Sequence, residues 1–537
     1  MTKIKKTILL VLIIFTFYYF LTISIPPFWE DHSFNQRFIQ TPITTQINHI
    51  FKIGNENIFD LERPFLGLYF HLTFALFKYN FFWHQLTKII FTAFSSLLLF
   101  SLLCTHLKSK NLAFAITLFS YLSYPVFSNF LQYDNPFVFA QFFKVAAIYF
   151  LLKDITKEKT NPLNQVLVLL FAVLAFRSYN QAWSIVGVII LFTLFYKLRY
   201  LKRYAFLFVA LITYNFPLNI TSIILGKTTY SNVSPTIATF FKFFYTTPKP
   251  LYVPFFMPES LYYVSLLDVL SFFGIALIIL LTIFFVIKIY NDRINPVAVF
   301  TSKAENRYGR TNMLFTLCIT WIICEVPLWY FAPDPTVRYL SGIMPPLFIL
   351  LFISINNINT SLNQKLKKYF LAITSALLIG FLLTNIGYAY LFRITWGSAF
   401  IGYSKANDFI EETRGKNTYV LYYFTSPARN LFPLDKKSNN YEFKTDVIYN
   451  QSDDEGFSEK NINLLKKKYK EVYVIKSKSA FGNSEYPPVP IEKYKNLNQI
   501  KVILGKEDDV IDKITEWLTK KLNINYLFYT FTVYKAV

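Results

Sequence analysis

Repeated apolar runs of about 20 residues, each bounded by charged residues, constrain this chain more than any other feature of its sequence. The 537-residue chain is 54% hydrophobic and only 16% charged, and a soluble protein of this size could hardly bury so much apolar surface. Apolar runs of this length match the hydrocarbon thickness of a bilayer. The sequence therefore predicts a polytopic α-helical membrane protein.

The apolar runs predict about eleven transmembrane helices. The first follows a basic start and lacks a small-residue cleavage pattern before Pro26-Pro27, which favours an uncleaved signal anchor. The predicted spans are 7–25, 83–106, 111–128, 136–152, 163–176, 181–197, 204–225, 266–288, 312–331, 339–355 and 370–391.

The distribution of basic residues predicts the orientation. With the N-terminus in the cytoplasm, twenty Lys and Arg residues fall in cytoplasmic connections and nine in the outer loops, as the positive-inside rule requires. The net charge of +22 is thereby explained without a nucleic-acid partner. We expect a multi-pass protein of the cytoplasmic (inner) membrane with its C-terminal tail on the extracytoplasmic side.

The composition becomes mixed and polar from about residue 393 onward. Four segments there read as strands, beginning near 417, 471, 498 and 526, and three read as helices, 406–415, 458–469 and 510–522. Strands that alternate with helices favour a small α/β domain. The sequence therefore predicts a membrane domain over 1–392 and an extracytoplasmic α/β domain over 393–537.

Several motifs fall on the predicted outer face in a fixed order. WEDH (29–32) follows the first span, and an Arg-Pro pair at 63–64 begins an apolar stretch that reaches Trp83-His84. QYDNPF (132–137) precedes the fourth span, and RYLSGIMPPL (338–347) opens the tenth.

This ordered set resembles the GT-C superfamily of integral-membrane glycosyltransferases, which use lipid-phosphate-linked sugars. The resemblance covers most of the membrane part by layout and about twenty positions by residue. It implies a membrane glycosyltransferase with a polyprenyl-phosphate-linked sugar as donor. The acceptor would be a cell-envelope glycan, lipid or protein, and membrane lipids would surround the enzyme.

The chemistry of that reaction assigns roles to the acidic and basic residues. Transfer to a hydroxyl needs one carboxylate as base, whereas the phosphate leaving group needs fixed positive charge and no acid. Asp31 is the first candidate base, with Glu30 and Asp134 as alternatives. The candidate phosphate-binding residues are Arg338, Arg63, Arg177 and Lys249. No cofactor is otherwise indicated, although Asp31, His32 and Asp134 could hold a divalent metal.

Each candidate residue also has a structural interpretation. An acid pair after a signal anchor is commonly a solvated loop start, Asp134 could cap a helix, and Arg338 could anchor a helix end. The alternatives for the whole chain are a transporter or flippase of lipid-linked glycans, a glycan polymerase, and an inactive assembly subunit. We find no internal repeat of the kind that transporters often show.

Overall fold

The structure is a computed structural model that describes part of the chain. The described residues are 3–22, 42–44, 64–77, 81–107, 109–131, 137–156, 161–179, 182, 184–196, 204, 309–330, 341–423, 447–452, 454–478, 485–522 and 528–537.

Eleven helices within these ranges precede residue 393. They are α1 Lys3–Thr22, α2 Pro64–Phe77, α3 Phe81–His106, α4 Lys110–Tyr121, α5 Tyr124–Leu131, α6 Phe137–Ile155, α7 Pro162–Ser178, α8 Ser184–Tyr196, α9 Gly309–Tyr330, α10 Met344–Ser361 and α11 Gln364–Phe392. They form one bundle with a continuous apolar core, in which α6 packs against α3 and α7 while α9 packs against α8 and α10.

The coarse prediction of an apolar helical bundle followed by a small sheet is confirmed. Within the described ranges, three helical stretches are long and apolar enough to cross a membrane: Lys3–Thr22, Phe82–His106 and Gln364–Gly387. Shorter apolar helices accompany them. The predicted spans 204–225 and 266–288 lie almost wholly outside the described residues, so the number of spans stays a prediction.

The third predicted span, 111–128, is two helices rather than one. Helix α4 ends at Tyr121 and α5 begins at Tyr124, with Pro125 in its first turn. Proline lacks a backbone N–H and disfavours helical conformation in the residue before it, so the break falls at this point. The Ser123 backbone carbonyl accepts hydrogen bonds from the N–H groups of Val126 and Phe127 and so starts the second helix.

The tenth predicted span begins later than expected. Pro345 and Pro346 lie in the first turn of α10. Backbone N–H groups in the first turn of a helix make no hydrogen bond within the helix, so proline costs none there. A double proline inside a span would be expected to kink the helix, and this expectation is wrong here. The double proline starts the helix instead.

The C-terminal part is a mixed sheet with helices on both faces. Its elements are α12 Ser398–Thr413, β1 Thr418–Tyr423, β2 Val447–Ser452, α13 Glu459–Lys468, β3 Glu471–Lys478, β4 Glu485–Tyr486, β5 Leu497–Leu504, α14 Val510–Leu522 and β6 Thr530–Ala536. The strand order is β2-β1-β3-β6-β5, with β4 paired to β3. Strands β1, β2 and β3 are parallel, whereas β6 is antiparallel to both of its neighbours.

Alternation along the strands assigns each face of the sheet to a helix. Val420 and Tyr422 of β1 join the cluster that includes α12, whereas Tyr419 and Leu421 join the cluster that includes Ile462 of α13. A π-helical turn, Arg393–Gly397, connects α11 to α12. The sheet is therefore attached directly to the end of a long apolar helix.

Candidate functional site in a polar layer at one end of the bundle

Of the seven residues predicted to form the site, the structure describes Arg177. Asp31, Glu30, Asp134, Arg338, Arg63 and Lys249 lie outside the described residues, as do the proposed metal ligands Asp31, His32 and Asp134. Their roles stay predictions. The structure does describe the helices that flank two of these residues. Asp134 lies between α5 and α6, and Arg338 lies between α9 and α10.

Arg177 lies in the last turn of α7. Only 5% of the Arg177 surface is exposed, and its guanidinium carbon lies 5.6 Å from the centre of the Phe176 ring. The backbone carbonyls at a helix C-terminus favour a positive charge at this position. Arg177 is thus a buried cation at the end of the helix.

Helices α6 and α7 pack against each other in opposite directions, so α6 begins where α7 ends. Tyr179, just beyond α7, packs against Phe137 at the start of α6, with ring centres 4.4 Å apart. We call this the Phe137 end of the bundle. Segment 132–136, which carries Asp134, joins α5 to α6 here, and the chain resumes at Ser341, three residues after Arg338. The sequence predicts this end to face the extracytoplasmic side.

A buried ion pair lies just inside the Phe137 end. The Lys144 ammonium of α6 donates to Glu325 Oε1 of α9 at 2.7 Å, and both side chains are buried. The same oxygen accepts the Ser184 hydroxyl at 2.7 Å and the Trp321 indole N–H at 3.2 Å. Three donors on α6, α8 and α9 therefore hold one carboxylate in place.

Gly342 allows the chain before α10 to lie against this carboxylate. A methyl group built on Gly342 would fall 2.5 Å from Glu325 Oε2, which is closer than atoms can approach. Only glycine fits here while Glu325 keeps its position. Ser341-Gly342, which immediately follow the segment that carries Arg338, therefore lie closely against the buried ion pair.

A small polar cavity adjoins the ion pair. Its polar lining comes from Thr92, Ser95, Tyr121, Asn129, Gln141 and Ser341. Gln141 lies one turn before Lys144 on α6, and Ser341 is the neighbour of Gly342. The cavity measures about 10 Å³, enough for about one water molecule.

Several of the polar side chains that line the cavity form hydrogen bonds. Tyr121 bonds with Ser95, its carbonyl accepts the Tyr18 hydroxyl at 2.5 Å, and the Asn129 amide donates to the Pro125 carbonyl at 3.0 Å. The Gln141 Nε2 group is buried and has no hydrogen-bond partner within the described part of the chain. It is a donor available to a ligand atom or a water in this cavity.

Lys88 adds a second buried cation beside the cavity. Its ammonium donates to the Phe130 carbonyl at 3.2 Å and lies 5.4 Å from the centre of the Phe130 ring. Phe130 also lines the cavity. Lys88, Lys144 and Arg177 therefore place three cations in the layer at the Phe137 end, where one anion, Glu325, is described.

This layer offers buried cations and hydrogen-bonding side chains, but the described residues supply no metal site. No group of three or more His, Cys, Asp or Glu side chains comes together within the ranges given above. Amide and hydroxyl groups around the cavity can form hydrogen bonds with the one water molecule for which it has room. Buried ammonium and guanidinium groups are donors of the kind that bind a phosphate.

Lys88, Lys144, Glu325 and Gln141 were not predicted from the sequence as site residues. The sequence does contain a feature that could have identified three of them, because Lys88, Lys144 and Glu325 each interrupt an apolar span. Ionisable residues inside spans are expensive to bury and commonly mark functional sites. The residues predicted from the sequence lie in the loops or at span ends, whereas Lys88, Lys144 and Glu325 lie within the spans.

The chain resembles known proteins only distantly. No protein-family model matches the chain, and no curated protein matches it significantly. Among solved structures, the chain is similar to ArnT from Cupriavidus metallidurans bound to undecaprenyl phosphate, with a TM-score of 0.46, 10% identity, and coverage of 99% of this chain and 98% of that one. The apo state of the same protein gives a TM-score of 0.44 and 11% identity, over 87% and 92% of the two chains.

Proposed function

We propose that this protein is a membrane glycosyltransferase that moves a sugar from a polyprenyl-phosphate carrier to an acceptor hydroxyl at the extracytoplasmic face of the cytoplasmic membrane. One observation carries the proposal. A buried, cation-rich polar layer lies at the end of the bundle from which the segments bearing Asp134 and Arg338 continue. The order of motifs along the sequence resembles the GT-C superfamily, which adds to the same reading.

In the proposed reaction Asp31 takes the proton of the acceptor hydroxyl, with Glu30 and Asp134 as the alternative bases. The acceptor oxygen attacks the anomeric carbon from the side opposite to the phosphate, which inverts that centre. The bond between the anomeric carbon and the phosphate oxygen breaks, and its electron pair stays on the phosphate. Polyprenyl phosphate leaves as an anion and needs no protonation.

The basic residues stabilise this leaving group. Arg338, Arg63, Arg177 and Lys249 are proposed to bind the phosphate, because guanidinium and ammonium groups form charge-assisted hydrogen bonds with its oxygens. Glu325 supports the arrangement indirectly, since it holds Gly342 and hence the start of α10. It is a positioning residue.

The experiment measures release of the carrier. Full-length protein in nanodiscs receives a panel of undecaprenyl-phosphate sugars and a cell-envelope extract as acceptor, and mass spectrometry quantifies free undecaprenyl phosphate. Asp31→Asn is expected to lower the release rate about a hundredfold or more while donor binding persists. Asp60→Asn, in the same loop, is the matched control and should leave release unchanged.

Two results would contradict parts of the proposal. Full turnover by Asp31→Asn would reject Asp31 as the base and direct the test to Glu30→Gln and Asp134→Asn. Movement of the lipid-linked sugar across the bilayer without any carrier release by the wild-type protein would reject glycosyl transfer altogether. That second result would favour a flippase.

A further inference from the structure

The last helix, α14, has an exposed apolar face. Val510, Ile514 and Trp517 follow one another at spacings of four and three residues, so they lie on the same side of the helix. Their exposed fractions are 54%, 48% and 61%. A contiguous apolar stripe that ends in tryptophan is unfavourable in water and marks a contact surface.

The opposite face of α14 is attached to the end of α11. Thr515 is buried, and its hydroxyl bonds with the Tyr390 hydroxyl at 2.8 Å. The buried Arg393 guanidinium donates to Asp509 at 2.8 Å and lies 3.6 Å from Asp512. These contacts hold α14 at a fixed position beside the last turn of α11.

That position lies close to the expected edge of the bilayer. The Gln364–Gly387 part of α11 is long and apolar enough to cross a membrane, and most of its side chains face outward from the bundle. Tyr390 and Arg393 come three and six residues after Gly387, or about 5 and 9 Å further along a helix. A helix bonded to these two residues therefore lies at the depth of the lipid head groups.

The charges around the apolar stripe match a lipid surface. Lys513, Lys520 and Lys521 are exposed and lie beside or between the apolar residues on the helical wheel. Lysines of this kind bury their stems against apolar surface while their ammonium groups reach phosphates. Tryptophan is enriched at the same depth, because its ring is apolar and its N–H is polar.

We infer that α14 is an interfacial helix that inserts Val510, Ile514 and Trp517 into the extracytoplasmic leaflet and places its lysines among anionic head groups. The occupant of the stripe is the bilayer that α11 crosses. The α/β domain is thereby held at a fixed orientation to the membrane. The inference is independent of the proposed reaction, because it needs only α11 as a span.

Photo-crosslinking tests the inference on the full-length protein. p-Benzoylphenylalanine replaces Trp517 or, in a second variant, Ile514, and the protein is placed in nanodiscs that contain phosphatidylcholine and phosphatidylglycerol. The control position is Leu464 on α13, which is 55% exposed in the same domain. We expect lipid adducts at 514 and 517 at yields about tenfold above those at 464, since α14 would touch the bilayer and α13 would not.

The lysines are tested with the same readout. The triple variant Lys513→Gln, Lys520→Gln, Lys521→Gln should lower the adduct yield at 517 in nanodiscs with phosphatidylglycerol and leave it unchanged in phosphatidylcholine alone. Equal yields at 464 and 517 would overturn the inference. Crosslinks from 514 and 517 to a second protein chain, in place of lipid, would overturn it as well.

Discussion

Glu325 of α9 accepts a hydrogen bond from Lys144 of α6 at 2.7 Å within a bundle of apolar helices. Either charge alone would be costly at this depth, and together they leave no net charge. Ser184 and Trp321 use the same carboxylate oxygen, so the pair belongs to a network that joins three helices. This network determines how closely the chain before α10 approaches the bundle.

Removing one charge of this pair should destabilise the protein strongly. Glu325→Gln keeps an acceptor for Ser184 and Trp321 but leaves the Lys144 ammonium buried without its counter-charge. We expect a loss of roughly 3–5 kcal/mol in the free energy of unfolding, as found when one partner of a buried pair is removed. The melting temperature of the purified protein, followed by tryptophan fluorescence, measures the loss.

The double variant Lys144→Met, Glu325→Gln separates the charge effect from a packing effect. With no charge left, most of the lost stability should return. Lys153→Met is the control on the same helix, because Lys153 is exposed at the other end of α6. A double variant no more stable than Glu325→Gln would contradict the ion-pair interpretation.

Gly342→Ala should be harmful for a steric reason. Its methyl group would overlap the Glu325 carboxylate, which three donors prevent from moving aside. Overpacking of this kind costs about 1–3 kcal/mol. The measurement is again the melting temperature, together with carrier release if the start of α10 positions Arg338 as proposed.

Gly387→Ala is the matched control. A methyl group on Gly387, within α11, meets nothing within 4 Å, so the substitution should be neutral or stabilise the helix by up to about 1 kcal/mol. In a Glu325→Ala background Gly342→Ala should lose its effect, because the overlapping carboxylate is gone. A Gly342→Ala effect that persists in that background would show that the clash lies elsewhere.

Local periodicity predicted the C-terminal part well. Strands lie at all four predicted places, and α13 and α14 match two of the three predicted helices. Helix α12 begins eight residues before the third predicted helix, and strands β2 and β4 were not predicted. Strands β1 and β3 are short continuous apolar runs that are buried on both faces, and α14 has a 3.6-residue apolar pattern, so each of these patterns reflects the burial of its own element. Most of the predicted spans that fall within the described residues overlap a helix, with ends that differ by up to six residues.

The polar layer could not be predicted in this way. Lys144 and Glu325 are 181 residues apart, and their pairing depends on how α6 and α9 pack, which no local pattern encodes. The break between α4 and α5 was overlooked because hydropathy is continuous across Ser123-Tyr124-Pro125. Pro125 could have predicted the break, since proline disfavours an uninterrupted helix.

Glu471, in the sheet, is expected to contribute to the stability of the domain in a pH-dependent way. Burial alone would raise its pKa, but hydrogen bonds from Lys535 and from the Gly415 N–H, both at 2.6 Å, lower it below its usual value of 4.5. Because the folded pKa is the lower one, the ionised carboxylate stabilises the domain above the unfolded pKa. This contribution should be lost as the pH falls from about 4.5 through the folded pKa.

Hydrogen exchange of the full-length protein at β1, β3 and β6 checks this sign. Glu471→Gln should lower protection at pH 7, corrected for intrinsic exchange rates, and the difference from the wild type should vanish at low pH. Glu412→Gln, an exposed position on α12, is the control and should leave protection unchanged. A difference between Glu471→Gln and the wild type that grows on acidification would reverse the predicted sign.

Arg177 allows a test of phosphate binding at a described residue. As a buried cation at the end of α7 it could bind the carrier phosphate, as proposed, or only stabilise the helix end. Charge-assisted hydrogen bonds contribute about 1.5–3 kcal/mol, so Arg177→Met should weaken undecaprenyl phosphate binding roughly ten- to a hundredfold. Native mass spectrometry of the protein in nanodiscs measures the affinity.

Arg177→Lys distinguishes the two roles. Lysine keeps the charge at the helix terminus but loses the planar fork that binds two phosphate oxygens at once. A phosphate-binding role therefore predicts an affinity between those of Arg177→Met and the wild type, with the melting temperature of Arg177→Lys close to that of the wild type. A structural role predicts that Arg177→Met lowers the melting temperature by several degrees while the folded protein binds undecaprenyl phosphate with wild-type affinity.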